Sequence, residues 1–257
     1  MLHAHILSDL FRRGDKKFPM NIHWLEQTEA DIPAENQWLN ANEILRLNAL
    51  RIPKRRADWR LGRWTAKQVV AGCLNLPTEP SSLANIEIRA ATSGAPEVLL
   101  HDEPAEITIS LSHRSGTALC TLAPPEINFG CDLETVEPRS DAFVADYFTV
   151  DERNFIARSS KQERPLLLAL LWSAKESALK ALHVGLRFDT RCMSVSPVDD
   201  WELTNNLEAW RSLSVRYSGG TVFHGCWRVQ DHLVRTVVSD LSLPNPVRAR
   251  AADLSMV

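Results

Sequence analysis

Pro124-Pro125 break the chain almost at its midpoint, and the same order of elements can be read on either side. Proline fixes φ and lacks a backbone donor, so two in succession end a strand and separate the segments on either side. Before the break, Asn21–Glu26 reads as a strand, and Ala41–Leu50 and Ala57–Leu74 carry helical periodicity with Pro53 between them. Ile86–Arg89, Val98–Leu100, Ile107–Leu111 and Thr117–Leu122 then read as strands, with Ser93-Gly94 marking a turn. After the break come a strand at Ile127–Glu134 and helices at Ala142–Phe148, Val150–Arg158 and Pro165–Leu182. Strands return at Met193–Pro197, Leu213–Tyr217, Val222–Val229 and Leu233–Ser239. This order predicts an α+β fold of two similar halves in a pseudo-two-fold arrangement, residues 21–125 and 126–243. Residues 1–20 are expected to be an N-terminal extension, and 244–257, after Pro244 and Pro246, a mobile tail.

With 257 residues, 44% of them apolar, each half has enough material for a packed core. Lys and Arg total 29 and Asp and Glu 32, a net charge of −3 that argues against a general nucleic-acid coat. No apolar run approaches the ~20 residues of a membrane span. Residues 1–19 place Arg12, Arg13, Lys16 and Lys17 after the apolar stretch, the wrong order for a secretory signal. Five cysteines, never spaced Cys-x-x-Cys, fit reduced thiols in a cytoplasmic protein.

In the strand Phe129-Gly130-Cys131-Asp132-Leu133-Glu134, alternation sends Phe129, Cys131 and Leu133 to one face and Asp132 and Glu134 to the other. Gly130 leaves space beside the carboxylates. Such a pair is either a solvated strand face or a holder for a hard cation such as Mg²⁺. The helix with Trp172-Ser173-Ala174-Lys175-Glu176-Ser177 places Ser173, Glu176 and Lys180 on one side. Glu176 and Lys180 then form an exposed i,i+4 pair, or Glu176 supplies a third carboxylate.

Eight bases stand between Arg46 and Lys67 against the single acid Asp58, with Trp59 and Trp64 among them. That run suits a solvated helix face, a nucleic-acid surface, or one end of a compact polyanion whose other end meets a cation. Ser112 and His113, where a strand enters a polar turn, either cap the turn or donate to phosphate. No phosphate-binding Gly-rich loop and no Gly-x-Ser-x-Gly elbow is present.

Together these segments resemble the 4′-phosphopantetheinyl transferases of the Sfp type. The resemblance rests on Gly130-Cys131-Asp132-Leu133-Glu134 and Trp172-Ser173-x-Lys175-Glu176-Ser177-x-x-Lys180. Leu111-Ser112-His113, Tyr147-Phe148-Thr149 with Glu152, and Arg56-x-x-Trp59-x-x-Gly62-Arg63 add to it. Gly94-Ala95-Pro96 lacks the lysine the family often has there, and His183-Val184-Gly185-Leu186 replaces a common Gly-x-Gly-Leu.

The resemblance implies Mg²⁺-dependent transfer of phosphopantetheine from coenzyme A to a serine of an acyl or peptidyl carrier protein. No nucleic-acid or membrane partner is expected, and a chain holding both halves is expected to act as a monomer. It implies Asp132, Glu134 and Glu176 as metal ligands, and Glu176 and Lys180 as catalytic. Arg55, Arg56, Arg63, Ser112, His113 and Lys180 would contact the coenzyme. Alternatives are a non-catalytic carrier-protein-binding module and another Mg²⁺-dependent phosphoryl or nucleotidyl transferase.

Overall fold

The computed structural model describes residues 20–184, 188–197, 203 and 207–249. Strand β1 (His23–Thr28) leads into helices α1 (Ala41–Ala49), α2 (Pro53–Leu74) and the short α3 (Pro80–Leu83). Strands β2 (Ile86–Ala90), β3 (Pro96–Leu100), β4 (Glu103–Pro104), β5 (Thr108–Arg114) and β6 (Thr117–Ala123) come next. The second half runs β7 (Phe129–Thr135), α4 (Asp141–Tyr147), α5 (Val150–Arg158) and α6 (Arg164–Ala181). It continues with β8 (Met193–Pro197), β9 (Arg211–Tyr217), β10 (Val222–Gln230), β11 (Leu233–Ser239) and the two-residue β12 (Val247–Arg248). The class is α+β, as the element order predicts.

Local chemistry explains the boundaries. α2 starts at Pro53, four residues before the apolar pattern becomes regular, because proline is already set for a first helical position. It ends with Asn75 in the left-handed region, φ 52°. Asn40 with Glu43 and Thr149 with Glu152 form reciprocal caps at the starts of α1 and α5. β5 and β6 are joined by Ser115-Gly116, both with positive φ, the two-residue turn that matches strand twist.

Three sheets result, ordered β12-β1-β6-β5, β7-β11-β10-β9-β8 and β2-β3-β4. Helix α2 covers one face of the first sheet, and Leu25, Trp64, Val69, Cys120 and Leu122 share that core. Helix α6 covers one face of the second, where Leu168, Leu171, Ala178, Trp227 and Val234 meet. A third cluster, with Trp24, Leu119, Phe129, Leu133 and Val237, lies where the first two sheets face each other. The expected buried stripe of Leu61, Trp64, Val69 and Ala71 is fully enclosed.

Val247 and Arg248, which the sequence places in a mobile tail, pair in parallel with His23 and Trp24 of β1. A two-residue strand leaves no readable periodicity. Residues 1–19 and 250–257, and Gly185-Leu186, lie outside the described residues.

Candidate functional site

β7 and α6 build an acidic centre. On β7, Gly130, Asp132 and Glu134 share the face toward α6. A Cβ at Gly130 would stand 2.0 Å from the Ser177 carbonyl oxygen and 2.9 Å from Lys180 Cβ. The space beside the carboxylates is thus taken by the helix backbone, and this close approach brings Glu176 and Lys180 to Asp132. Lys180 Nζ donates to Asp132 Oδ1 at 2.7 Å and to the Cys131 carbonyl at 2.9 Å. Lys180 is thus ion-paired with a strand residue and does not form an exposed i,i+4 pair with Glu176. Ser112 of β5 donates to the same Asp132 oxygen at 2.8 Å, so the first sheet reaches the site too. Glu134 Oε2 accepts from Arg139 at 3.0 Å and lies 3.6 Å from Arg114 Nε.

The electrostatics are those of crowded carboxylates. Glu176 is pushed up to about 7, first by burial and then by Asp132, with Lys180 opposing and Glu134 adding. Glu134 is raised by burial and by Asp132 against the pull of Arg114 and Arg139. Burial would lower Lys180, but Asp132 above all reverses that and holds it above its ordinary value.

A hard cation fits this donor set. Asp132 is 2% exposed, and its Oδ2 is buried with no hydrogen-bond partner among the described residues. A buried, orphaned carboxylate oxygen is what an oxygen-seeking ion such as Mg²⁺ satisfies. Among the described residues no three His, Cys, Asp or Glu side chains stand as a ready-made metal site. Asp132 and Glu134 are held instead by the chain's own cations.

A cleft of about 560 Å³ opens beside this centre, with Arg46, Arg55, Arg63, Arg89, His113 and Asp58 in its walls. Arg63 stacks over Trp59 at 4.9 Å; its buried Nε has no partner among the described residues. Burial lowers the Arg63 pKa, with Glu43 opposing. The His113 pKa is lowered chiefly by partial burial, with Asp58 opposing. A second cavity of about 260 Å³ shares Gly94, Pro96 and Leu111 with the cleft and reaches Lys180. The basic cleft thus adjoins a cavity that reaches Lys180, the partner of Asp132.

Four bases of the Arg46–Lys67 run are engaged within the chain, Lys54 with Asp58 at 2.8 Å and Arg60 with Asn36 Oδ1 at 2.9 Å and the Pro33 carbonyl at 2.7 Å among them. Arg56 donates to the carbonyls of Leu47 at 2.5 Å and Leu50 at 3.2 Å, closing the end of α1. Lys67 is buried, 2.5 Å from Glu43 Oε2, and also donates to the Trp38 and Leu83 carbonyls. Lys67 presents no free charge to a ligand, and the run is not one solvated face.

Much of the Trp172–Lys180 motif is also structural. Ser173 and Ser177 each share a hydrogen bond with Thr236 Oγ1 on β11, at 2.8 and 2.7 Å. Lys175 pairs with Glu152 at 2.7 Å and donates to the Thr190 and Met193 carbonyls. Arg114, Arg139 and Arg89 carry no signal of a site in the sequence. Arg89 and Arg114 sit near strand ends and Arg139 in the segment after β7, and only the fold brings each of them to the site.

Residues 128–238 match the family model of the 4′-phosphopantetheinyl transferase superfamily. That span holds Asp132, Glu134, Glu176 and Lys180. Among solved structures, a holo-(acyl-carrier-protein) synthase from Bacillus anthracis, in complex with CoA (3′,5′-ADP), is 20% identical. The similarity covers 41% of this chain and 95% of that one, with a TM-score of 0.34. A holo-[acyl-carrier-protein] synthase from Helicobacter pylori, in complex with coenzyme A, is 17% identical. It covers 40% of this chain and 98% of that one, with a TM-score of 0.28. No curated protein matches.

Proposed function

We propose that the protein transfers the 4′-phosphopantetheine arm of coenzyme A to a serine hydroxyl of an acyl or peptidyl carrier protein, as the Sfp-type enzymes it resembles do. The observation that carries this reading is that the arginine-lined cleft adjoins a cavity reaching Lys180, which is paired with Asp132 of the acidic centre. The family match over 128–238 supports it. A coenzyme with a 3′-phosphate at one end and a pyrophosphate further along needs cations at both places.

Arg55 and Arg63, with Arg46 and Arg89, would hold the phosphate on the adenosine side, where a guanidinium can grip two oxygens. His113 and Lys180 would donate to pyrophosphate oxygens. Asp132, Glu134 and Glu176 would hold Mg²⁺, which when bound neutralises charge on those oxygens as the phosphorus–oxygen bond breaks. The serine oxygen forms a bond to the phosphorus that carries pantetheine, and adenosine 3′,5′-bisphosphate leaves. Glu176, fixed on a buried helix, receives the serine proton. Ser112 orients Asp132 and does not itself need to touch the coenzyme. Leu45 and Ile52 are exposed and neighbour Arg46 and Arg51 in the chain, an apolar and basic surface suited to an acidic carrier protein. The reading is of a monomer in the cytoplasm. No described helix is long and apolar enough to cross a membrane.

The test is release of adenosine 3′,5′-bisphosphate from coenzyme A, dependent on Mg²⁺ and an apo-carrier protein, measured by chromatography. Asp132→Ala and Glu176→Gln are each expected to lower the rate by at least about 100-fold while the circular dichroism spectrum stays native. Wild-type rates in either variant would overturn the assignment. Consumption of a nucleoside triphosphate in place of coenzyme A would point to the other phosphoryl-transfer reading.

A further inference from the structure

Pro138 closes the segment after β7, and the chain turns so that Arg139 comes back beside the strand it has just left. Arg139 Nη2 lies 3.0 Å from Glu134 Oε2 and 3.1 Å from Glu137 Oε1. Its guanidinium stands 5.3 Å from the centre of the Phe143 ring. Phe143 in turn meets Trp172 edge-on at 5.2 Å, and Trp172 is on α6, the helix that carries Glu176. From the other sheet Arg114 closes the arrangement, 3.0 Å from Glu137 Oε1 and 3.3 Å from the Thr135 hydroxyl. Two arginines and two glutamates cancel in charge, and both arginines approach Glu134 at its Oε2 oxygen.

A glutamate has three side-chain torsions, and an untethered one loses rotamer freedom when it binds an ion. A glutamate already gripped at one oxygen has lost most of that freedom. Asp132 is treated the same way, with Oδ1 gripped by Lys180 and Ser112 and Oδ2 left without a partner among the described residues.

We propose that Arg139 is a positioning residue for the acidic centre, gripping Glu134 at Oε2 so that the carboxylate is set toward a divalent cation before the cation arrives. The inference rests on the proposed function and lies outside the motifs that suggested it. Arg139 acts through Glu134, as outer partners of ligating groups do.

The experiment is Mn²⁺ binding to the full chain, followed by loss of the free-ion electron paramagnetic resonance signal in the presence of coenzyme A. Wild type is expected to bind, and Asp132→Ala to lose binding. Arg139→Leu is expected to raise the Mn²⁺ dissociation constant about 10-fold or more. Arg139→Lys, which keeps a charge but cannot span both glutamates, should recover part of it. A purely structural clasp would lower the unfolding temperature of Arg139→Leu in chelator and leave Mn²⁺ affinity alone, which overturns the inference. Tighter binding in Arg139→Leu would show that Arg139 only competes with the ion, and overturns it equally. If wild type fails to bind Mn²⁺, or Asp132→Ala binds as well as wild type, the proposed function itself falls and takes the inference with it.

Discussion

Lys175 has no exposed surface and three oxygen partners, of which Glu152 alone carries charge. Glu152 does more than pair. One oxygen caps α5 by accepting from Thr149, and the other accepts from Val195 of β8 at 2.9 Å. Removing it would strand an ammonium in the core and free two backbone donors. Glu152→Ala is therefore expected to cost about 3–5 kcal/mol of stability, read as a lower denaturation midpoint in urea. A midpoint unchanged from wild type would show that Lys175 finds another counter-charge. Residues of this kind are only half legible in a sequence. The alternation of β7 announces which face Asp132 and Glu134 share, because a period of two is local. The partner of Lys175 lies 23 positions upstream, and nothing in either segment names the other. Arg56 shows the same gap. Its side chain ends on the carbonyls of the preceding helix, a contact set by the Leu50–Pro53 turn and invisible in a count of basic residues.

Elements are easier to read than their contacts. Long helices and paired strands repeat a chemical pattern many times, so α2, α6 and every strand of the two large sheets except β12 emerge from periodicity. β4 and β12, two residues each, have no pattern to repeat. The packing of α6 on β7 turns on Gly130, whose missing Cβ lets the Ser177 carbonyl approach. In the sequence that glycine reads only as room beside two acids. Gly130→Ala must lift the helix or distort the strand, and the expected cost is roughly 1–3 kcal/mol. The transfer rate should fall as well, since the Lys180–Asp132 contact depends on that spacing. An alanine variant with wild-type stability and rate would mean that the helix can shift without consequence for the site.

At the scale of the molecule, the site depends on how two sheets face each other. Ser112 and His113 come from one sheet, Asp132 and Glu134 from the other, and the third apolar cluster lies between. Arg235 of β11 grips Glu26 of β1 at 2.5 and 2.6 Å across the same junction and also donates to two carbonyls. The element order and the midpoint break make two halves expected, but their mutual placement depends on side chains more than 200 positions apart. That placement sets the arginine-lined cleft beside the acidic centre, and the proposed reaction requires both. The most direct measurement is the mass of an apo-carrier protein after incubation with this protein, coenzyme A and Mg²⁺. The account predicts a gain of one phosphopantetheine group on the carrier's serine, lost when Mg²⁺ is chelated. A carrier that a known transferase can load, but whose mass stays unchanged here with both coenzyme A and Mg²⁺ supplied, would contradict it.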